Sequence, residues 1–136
     1  MCQMSIEEIE ITLPNGLHDA VMRKHVVDYQ QRTLDFHIDI WVGDLNSEVE
    51  EVREAYKSGV LSFEGLEYFV IEPPSDVEVV FDSFSFSAGD PRVDTIKPSV
   101  ILPDPPDGTF LTYFYIYKLN AFMHICATKV KFKYGT

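Results

Sequence analysis

The 136-residue chain predicts a mainly β protein: an antiparallel β-sandwich, or a strongly curved sheet, of about eight strands with one surface helix. Three observations predict this fold class. Several segments alternate apolar and polar residues, which is the period of a half-buried strand. Proline, glycine and asparagine separate these segments as turn signals. Ten phenylalanines and seven tyrosines supply material for a core. No repeat or linker divides the chain, so residues 1–136 are expected to form a single domain.

The first three β segments follow one another closely. Residues 6–13 ("IEEIEITL") alternate weakly and predict a first strand, which ends at the turn signal Pro14-Asn15-Gly16. Residues 18–29 and 33–42 then predict a hairpin. A two-residue loop at 31–32 would pair Val27 with Phe36 and Tyr29 with Leu34, and would place Lys24 opposite Asp39.

The second hairpin strand alternates most clearly. Because successive strand residues point to opposite sides, one face carries Leu34, Phe36, Ile38, Ile40 and Val42, and the other carries Asp35, His37, Asp39 and Trp41. We expect Phe36, Ile38 and Ile40 to be buried, and Asp35 and Asp39 to be solvated.

Residues 47–57 predict the one helix. Ser47 and Glu50 match a capping box, in which each side chain bonds the other residue's backbone N–H. Three apolar residues at helical spacing predict a narrow buried stripe, and Gly59 follows as a C-terminal stop. The members of this stripe are Val49, Val52 and Tyr56.

The remaining chain returns to β patterns separated by proline loops. "YFYIY" (113–117) is apolar on both faces, which predicts a strand that is central in a sheet or covered on both sides. The last segment alternates Val130, Phe132 and Tyr134 with Lys129, Lys131 and Lys133. The loop 103–108 is rich in proline, which lacks the backbone donor of a central strand.

Charge is unevenly distributed along the chain. The net charge is −11, and all 22 acidic residues lie before position 109. Nucleic acid and anionic membrane are therefore excluded as expected partners, and a basic protein is favoured. Within the acidic stretch 64–94, Glu67, Asp76 and Glu78 are candidate contacts. The alternative is that the charge only keeps the protein soluble.

A cytoplasmic location is expected. No apolar run approaches the ~20 residues of a membrane-spanning helix, and "MCQMSIEEIE" lacks the features of a secretory signal. Cys2 and Cys126 show neither a metal-binding spacing nor a disulfide framework, and Cys126 is expected to be a small buried hydrophobe.

Enzyme signatures are absent from the sequence. It contains no nucleophile elbow, phosphate-binding loop, dinucleotide fingerprint or zinc-protease motif. The best metal candidate is Asp35-x-His37-x-Asp39, with His18 or Asp28 as a further ligand. The alternative is a solvated strand face. We favour this alternative and therefore predict no bound metal and no cofactor. Trp41 is expected either to pack under a loop or to anchor a partner.

The segments Asn15–Ala20, Asp28-Tyr29 and Asp39–Asp44 together carry a resemblance. They resemble small uncharacterised bacterial proteins with an N-G-[LF]-H-D-A opening, some of which are similar to immunity proteins encoded near polymorphic toxins. The resemblance covers about the first third of the chain. It implies a cytoplasmic binding protein and, where it extends to the immunity proteins, one that neutralises a toxin. It assigns no catalytic residue.

Three functional hypotheses follow. The first is a non-enzymatic protein, such as an immunity or inhibitor protein, that binds a basic partner through an acidic surface. The second is a metal-dependent or small-ligand-binding enzyme that uses the hairpin of residues 17–44. The third is an assembly protein whose last strand pairs with a second copy to form a homodimer.

Overall fold

A computed structural model describes residues 6–17, 20–71, 84–87, 102–116 and 121–135. The protein is mainly β, as predicted. Its elements in chain order are α1 (Ile6–Thr12), β1 (Val21–Asp28), β2 (Thr33–Trp41), α2 (Glu50–Arg53), β3 (Tyr56–Glu64), β4 (Tyr68–Ile71), β5 (Phe84–Ser87), β6 (Phe110–Ile116), β7 (Ala121–Ala127) and β8 (Lys129–Tyr134).

The strands form two antiparallel sheets. The first contains β1, β2, β3 and β8, and the second contains β4, β7 and β6. Strand β5 joins them, because Phe84 and Ser85 pair with β1 while Phe86 and Ser87 pair with β6. The described strands run in the order β4-β7-β6-β5-β1-β2-β3-β8, so β4 and β8 do not pair to close a barrel.

The core lies between the two sheets and is organised around Phe36. Its ring centroid lies 5.8 Å from that of Phe63 in the same sheet, and 5.9 Å and 5.8 Å from those of Phe69 and Phe114 in the other. All three pairs meet edge to face, the arrangement that aromatic quadrupoles favour. Cys126 is also fully buried, as predicted.

The prediction of a first strand over residues 6–13 is wrong, because residues 6–12 form helix α1. Ile6, Ile9 and Leu13 are spaced for one helical face, and all three are buried in the core. A strand would have placed Ile11 on the same side as Ile9 and Leu13. Ile11 is instead 82% exposed. The weak alternation was compatible with both structures, and burial against the sheet favours the helix.

The predicted hairpin forms, but its register differs by two residues. Val27 pairs with Leu34 and His25 with Phe36. A shift of two preserves which side chains share a face. The faces of β2 are therefore as predicted, and Phe36, Ile38 and Ile40 are buried.

The register follows from the turn, which has four residues (29–32) between the paired Asp28 and Thr33. The Asp28 carboxylate accepts hydrogen bonds from the backbone N–H groups of Gln30 and Gln31, both at 3.0 Å. This local arrangement is a common use of aspartate at turns. It closes the hairpin two residues earlier on β1 than a two-residue loop would.

The predicted helix over residues 47–57 shrinks to the single turn α2. The expected capping box does not form. Ser47 Oγ instead accepts a hydrogen bond from the N–H of Val49 at 3.1 Å, and the N-cap residue Val49 makes no side-chain cap. Tyr56 begins β3, opposite Trp41. The C-terminal part of the predicted helix is thus the start of a strand that pairs with β2.

Gly59 lies within β3 and does not terminate a helix. A Cβ atom at this position would overlap the ring of Phe132, which comes from the adjacent strand β8. Phe132 packs against the core, so the missing side chain makes room for this ring. The β6 segment lies between β7 and β5, in agreement with the prediction that "YFYIY" is central.

Candidate functional site

Asp35, His37 and Asp39 lie together on the outer face of the first sheet, as their spacing predicts. Their cross-strand neighbours on β1 are Val26, Lys24 and Val21, and on β3 they are Ser62, Val60 and Ser58. Asp35 and His37 are half-buried. Lys24 thus lies opposite His37, and its predicted place opposite Asp39 is wrong.

Asp39 is not solvated, contrary to expectation. Its exposed fraction is only 9%. A β-bulge between Met22 and Lys24 brings Arg23 to Asp39, and the guanidinium Nε and Nη2 both lie 2.5 Å from the Oδ2 atom of this carboxylate. Ser58 Oγ donates to Asp39 Oδ1 at 2.9 Å. Asp39 is therefore a structural ion-pair partner, held by three strands.

The outer face does not form a metal centre in the described part of the chain. No three His, Cys, Asp or Glu side chains within it are grouped to hold a metal ion. Asp39 is engaged by Arg23, and Lys24 is the cross-strand neighbour of His37. Asp28 serves the hairpin turn, and His18 lies outside the described residues.

Glu67 lies at the tip of the β1–β2 hairpin. Its Oε1 accepts a hydrogen bond from Arg32 Nη2 at 2.6 Å. Arg32 adopts a φ of 55°; its carbonyl accepts a hydrogen bond from the Leu66 N–H, and its side-chain Nε donates one to the Leu66 carbonyl. These groups border a pocket of about 190 Å³, whose lining also includes Val27, Tyr29 and Phe69. Asp76 and Glu78, the other acidic candidates, lie outside the described residues.

Trp41 ends β2 at the opposite end of the sheet from Glu67. Its indole Nε1–H donates to the Arg53 carbonyl at 2.9 Å, so the residue packs beneath the α2 segment. The Asn15 amide donates to the carbonyls of Trp41 and Gly43, at 3.2 and 2.8 Å. A Cβ atom at Gly43 would overlap the Arg53 carbonyl oxygen and lie 2.5 Å from Trp41 Nε1. The indole is therefore held in one position.

Residues 41–56, whose side chains are here called the Trp41 surface, carry four exposed apolar residues that sequence reasoning did not identify as exposed. Val49, Val52 and Tyr56 were expected to be buried along a helix and are instead exposed, and Leu45 joins them. Their exposed fractions are 69% for Leu45, 52% for Val49, 49% for Val52 and 47% for Tyr56. Isolated exposed hydrophobics are ordinary, but several within one short segment suggest a binding surface.

Acidic residues occur along the same segment as these exposed apolar residues. Residues 44–56 contain five acidic residues and one basic residue, Arg53. The five are exposed, and none forms an ion pair with another described residue: Asp44, Glu48, Glu50, Glu51 and Glu54. The Arg53 guanidinium donates to the Ser47 carbonyl at 3.3 Å. The density of acids in this segment was the sequence signal that could have indicated a binding surface. The predicted helix, however, assigned the apolar residues to a buried face.

Ionisable groups at two places on the first sheet have displaced pKa values: His25, and the ion pair of Glu64 with Lys131. Partial burial against Phe36 and Phe69 lowers the pKa of His25. A hydrogen bond from Lys131 lowers the pKa of Glu64, and the same contact raises the pKa of Lys131. Neither case joins a nucleophile to a base, so these shifts reflect packing and ion pairing.

Comparisons with known proteins found no matching family model, no matching curated protein and no matching solved structure. Among the helices that the structure describes, none is long and apolar enough to span a lipid bilayer.

Proposed function

We propose that the protein is a non-enzymatic, cytoplasmic binding protein of the immunity or inhibitor class, which associates with a basic protein through the Trp41 surface. The observation that carries the proposal is the coincidence of exposed apolar and acidic side chains on one short segment, with Leu45 and Tyr56 among exposed carboxylates. Binding interfaces commonly combine an apolar centre with a polar rim.

Preorganisation also supports this proposal. The Trp41 indole is fixed by its hydrogen bond to Arg53, and the chain around it is fixed by the Asn15 amide and by two backbone bonds. Those bonds run from Val42 N–H to the Ala55 carbonyl and from Asp44 N–H to the Val52 carbonyl. A surface that is already ordered loses little conformational entropy on association, which favours affinity.

A sandwich is the fold that best suits this proposal. Phe36 of the first sheet and Phe114 of the second meet with ring centroids 5.8 Å apart, which supports face-to-face packing of the sheets in a β-sandwich of about eight strands. In such a fold the Trp41 surface lies at one end of the first sheet, where connecting segments carry most binding residues.

Glu67 belongs to a different part of the molecule. Trp41 pairs with Tyr56 at one end of β2, and Thr33 pairs with Glu64 at the other. At about 3.3 Å per residue, the two ends of this nine-residue strand are separated by about 26 Å. Because Glu67 is near the Thr33 end and paired with Arg32, we assign the steering of a basic partner to the acids of residues 44–54.

The test compares two single charge reversals. The product of the neighbouring reading frame is the first partner to assay, by surface plasmon resonance at several salt concentrations. Glu54→Lys should slow association several-fold at low salt, and Glu67→Lys should slow it less, because rim charges act mainly on the association rate. An association rate that is independent of salt and equal in both variants would refute electrostatic steering from residues 44–54.

A second candidate function is the binding of a small ligand at the hairpin tip. The pocket of about 190 Å³ bordered by Arg32 and Glu67 favours it, because apolar walls there meet charged groups. A thermal-shift screen of small metabolites against wild type and Arg32→Ala would detect this activity. A stabilising ligand whose effect is lost in Arg32→Ala would promote this function over protein binding.

A further inference from the structure

A pocket of about 450 Å³ lies within the Trp41 surface. Trp41, Leu45 and Tyr56 supply its apolar walls, while Glu54 and Arg53 supply charged groups. The pocket is open to solvent, and Leu45 and Tyr56 are both among the exposed large hydrophobic residues. It therefore offers apolar area that a partner can cover on binding.

The walls of this pocket are held in place by strand pairing and by a hydrogen bond of Trp41. Trp41 and Tyr56 are cross-strand neighbours, and the indole N–H is bonded to the Arg53 carbonyl. The backbone at Gly43 lies close to both that carbonyl and the indole nitrogen, so a Cβ atom there would overlap them. An inserted side chain would therefore meet a preformed wall, which is a feature of energetically dominant interface positions.

The charges around the pocket specify what should flank the inserted group. Residues 44–56 contain five acidic residues against one basic residue. The one basic side chain, Arg53, donates to the Ser47 carbonyl. Lysine or arginine residues beside an inserted side chain would be attracted by Glu54 in the pocket lining and by the other exposed acids of this segment, whereas acidic flanks would be repelled.

We propose that the pocket beside Trp41 receives one apolar side chain, of leucine size or larger, from a segment of the partner that carries lysine or arginine on both sides. This inference rests on the proposed function and specifies the partner segment. The anchor supplies affinity by burying apolar area, and the flanking cations supply rate and orientation.

The chain has a single tryptophan, so its fluorescence reports on this pocket alone. The probes are three capped synthetic peptides without tryptophan or tyrosine: a leucine with two lysines on each side, the same peptide with serine at the centre, and the leucine peptide with glutamates as flanks. The leucine-centred basic peptide should change Trp41 fluorescence saturably. The serine-centred peptide should bind roughly tenfold more weakly, because it buries less apolar area. The glutamate-flanked peptide should bind more weakly still.

Two protein variants complete the experiment. Leu45→Ser alters a pocket wall at a position that is 69% exposed, so it should weaken the leucine-centred peptide without altering the fold. Leu111→Ser is the matched control, since Leu111 is also exposed but lies outside the pocket lining. Circular dichroism and thermal unfolding verify that both variants are folded.

Each outcome decides the inference. Tenfold discrimination between leucine and serine that is lost in Leu45→Ser supports it. Equal binding of the two basic peptides overturns the anchor but leaves electrostatic binding by the acids, and with it the proposed function, intact. Binding that is unaffected by Leu45→Ser, or no fluorescence change with any peptide, overturns the inference. The proposed function fails separately, through the salt dependence of Glu54→Lys and Glu67→Lys with the whole partner.

Discussion

The inner and outer faces of β2 come from the same nine-residue strand but are built differently. The inner face is uniform, because every residue from Leu34 to Ile40 that points inward is buried. The outer face is uneven: Asp35 and His37 keep partial contact with solvent, while Asp39 is covered by Arg23 and Ser58. Alternation along one strand therefore determines the side on which a residue lies, and neighbouring strands determine its surroundings.

Each face also has an exception. On the inner side, β1 places His25 opposite Phe36, where its ring contacts Phe36 and Phe69 although the residue as a whole is exposed. On the outer side, Asp39 is buried by its ion pair. Substitutions at four positions test this contrast between the faces.

The largest expected effect is on the inner face. Phe36→Ala should lower the free energy of unfolding by about 3–5 kcal/mol, because it removes a fully buried ring that packs against both sheets. Val26→Ala, on the exposed outer side of β1, should cost less than about 1 kcal/mol. Urea unfolding measures both. Phe36→Leu is the milder replacement if Phe36→Ala does not fold. Similar losses for Phe36→Ala and Val26→Ala would contradict the contrast.

The second prediction separates two aspartates of the outer face. Asp39→Asn should cost about 1–2 kcal/mol, because charge-assisted hydrogen bonds from Arg23 become neutral ones in a covered site. Asp35→Asn should change stability by no more than about 0.5 kcal/mol. The comparison uses chemical denaturation at neutral pH. If both variants lose equal stability, the bulge at Arg23 does not distinguish the two positions.

The third prediction concerns the ion pair between Lys131 and Glu64, which lie 2.6 Å apart on the outer face. Glu64→Gln should cost at most about 1 kcal/mol, because both side chains are substantially exposed and salt screens the pair. The hydrogen bond from Lys131 lowers the pKa of Glu64, so its contribution should be present above the ordinary value of 4.5 and be lost as pH falls through the folded-state pKa. Denaturation of wild type and variant at two pH values and two salt concentrations tests this. A loss that salt does not diminish would argue for a packing role instead.

The smallest effect should come from His25. Burial lowers its pKa below 6.5, so the folded state favours the neutral ring. Stability from this residue should therefore be present above pH 6.5 and decrease as pH falls through the folded-state pKa, since the unfolded chain binds the proton more readily. His25→Phe should reduce this part of the acid sensitivity. Unfolding curves at about pH 7 and about pH 5 measure it, with His37→Phe as control. An equal reduction in both variants would show that the inner position of His25 is not the cause.

In the candidate site, too, some features could be predicted from the sequence and others depend on neighbouring strands. From the sequence, Trp41 is expected either to pack under a loop or to anchor a partner; in the structure its indole N–H donates to the Arg53 carbonyl. The exposed apolar residues beside it were not predicted, because the helical spacing of Val49, Val52 and Tyr56 indicated a buried helix face. In the folded chain, Tyr56 pairs with Trp41 across β2 and β3, which ends the helix after one turn.

The β class, the inner face of β2 and the central position of β6 could be predicted from the sequence, because side-chain alternation and apolar runs are local properties. The helix at residues 6–12, the covered position of Asp39 and the exposed apolar side chains of residues 45–56 could not. In each case the deciding contact comes from a distant part of the chain: the core beneath α1, the bulge at Arg23, and β2 pairing with Tyr56. Local periodicity cannot encode such contacts, because they depend on which strands become neighbours.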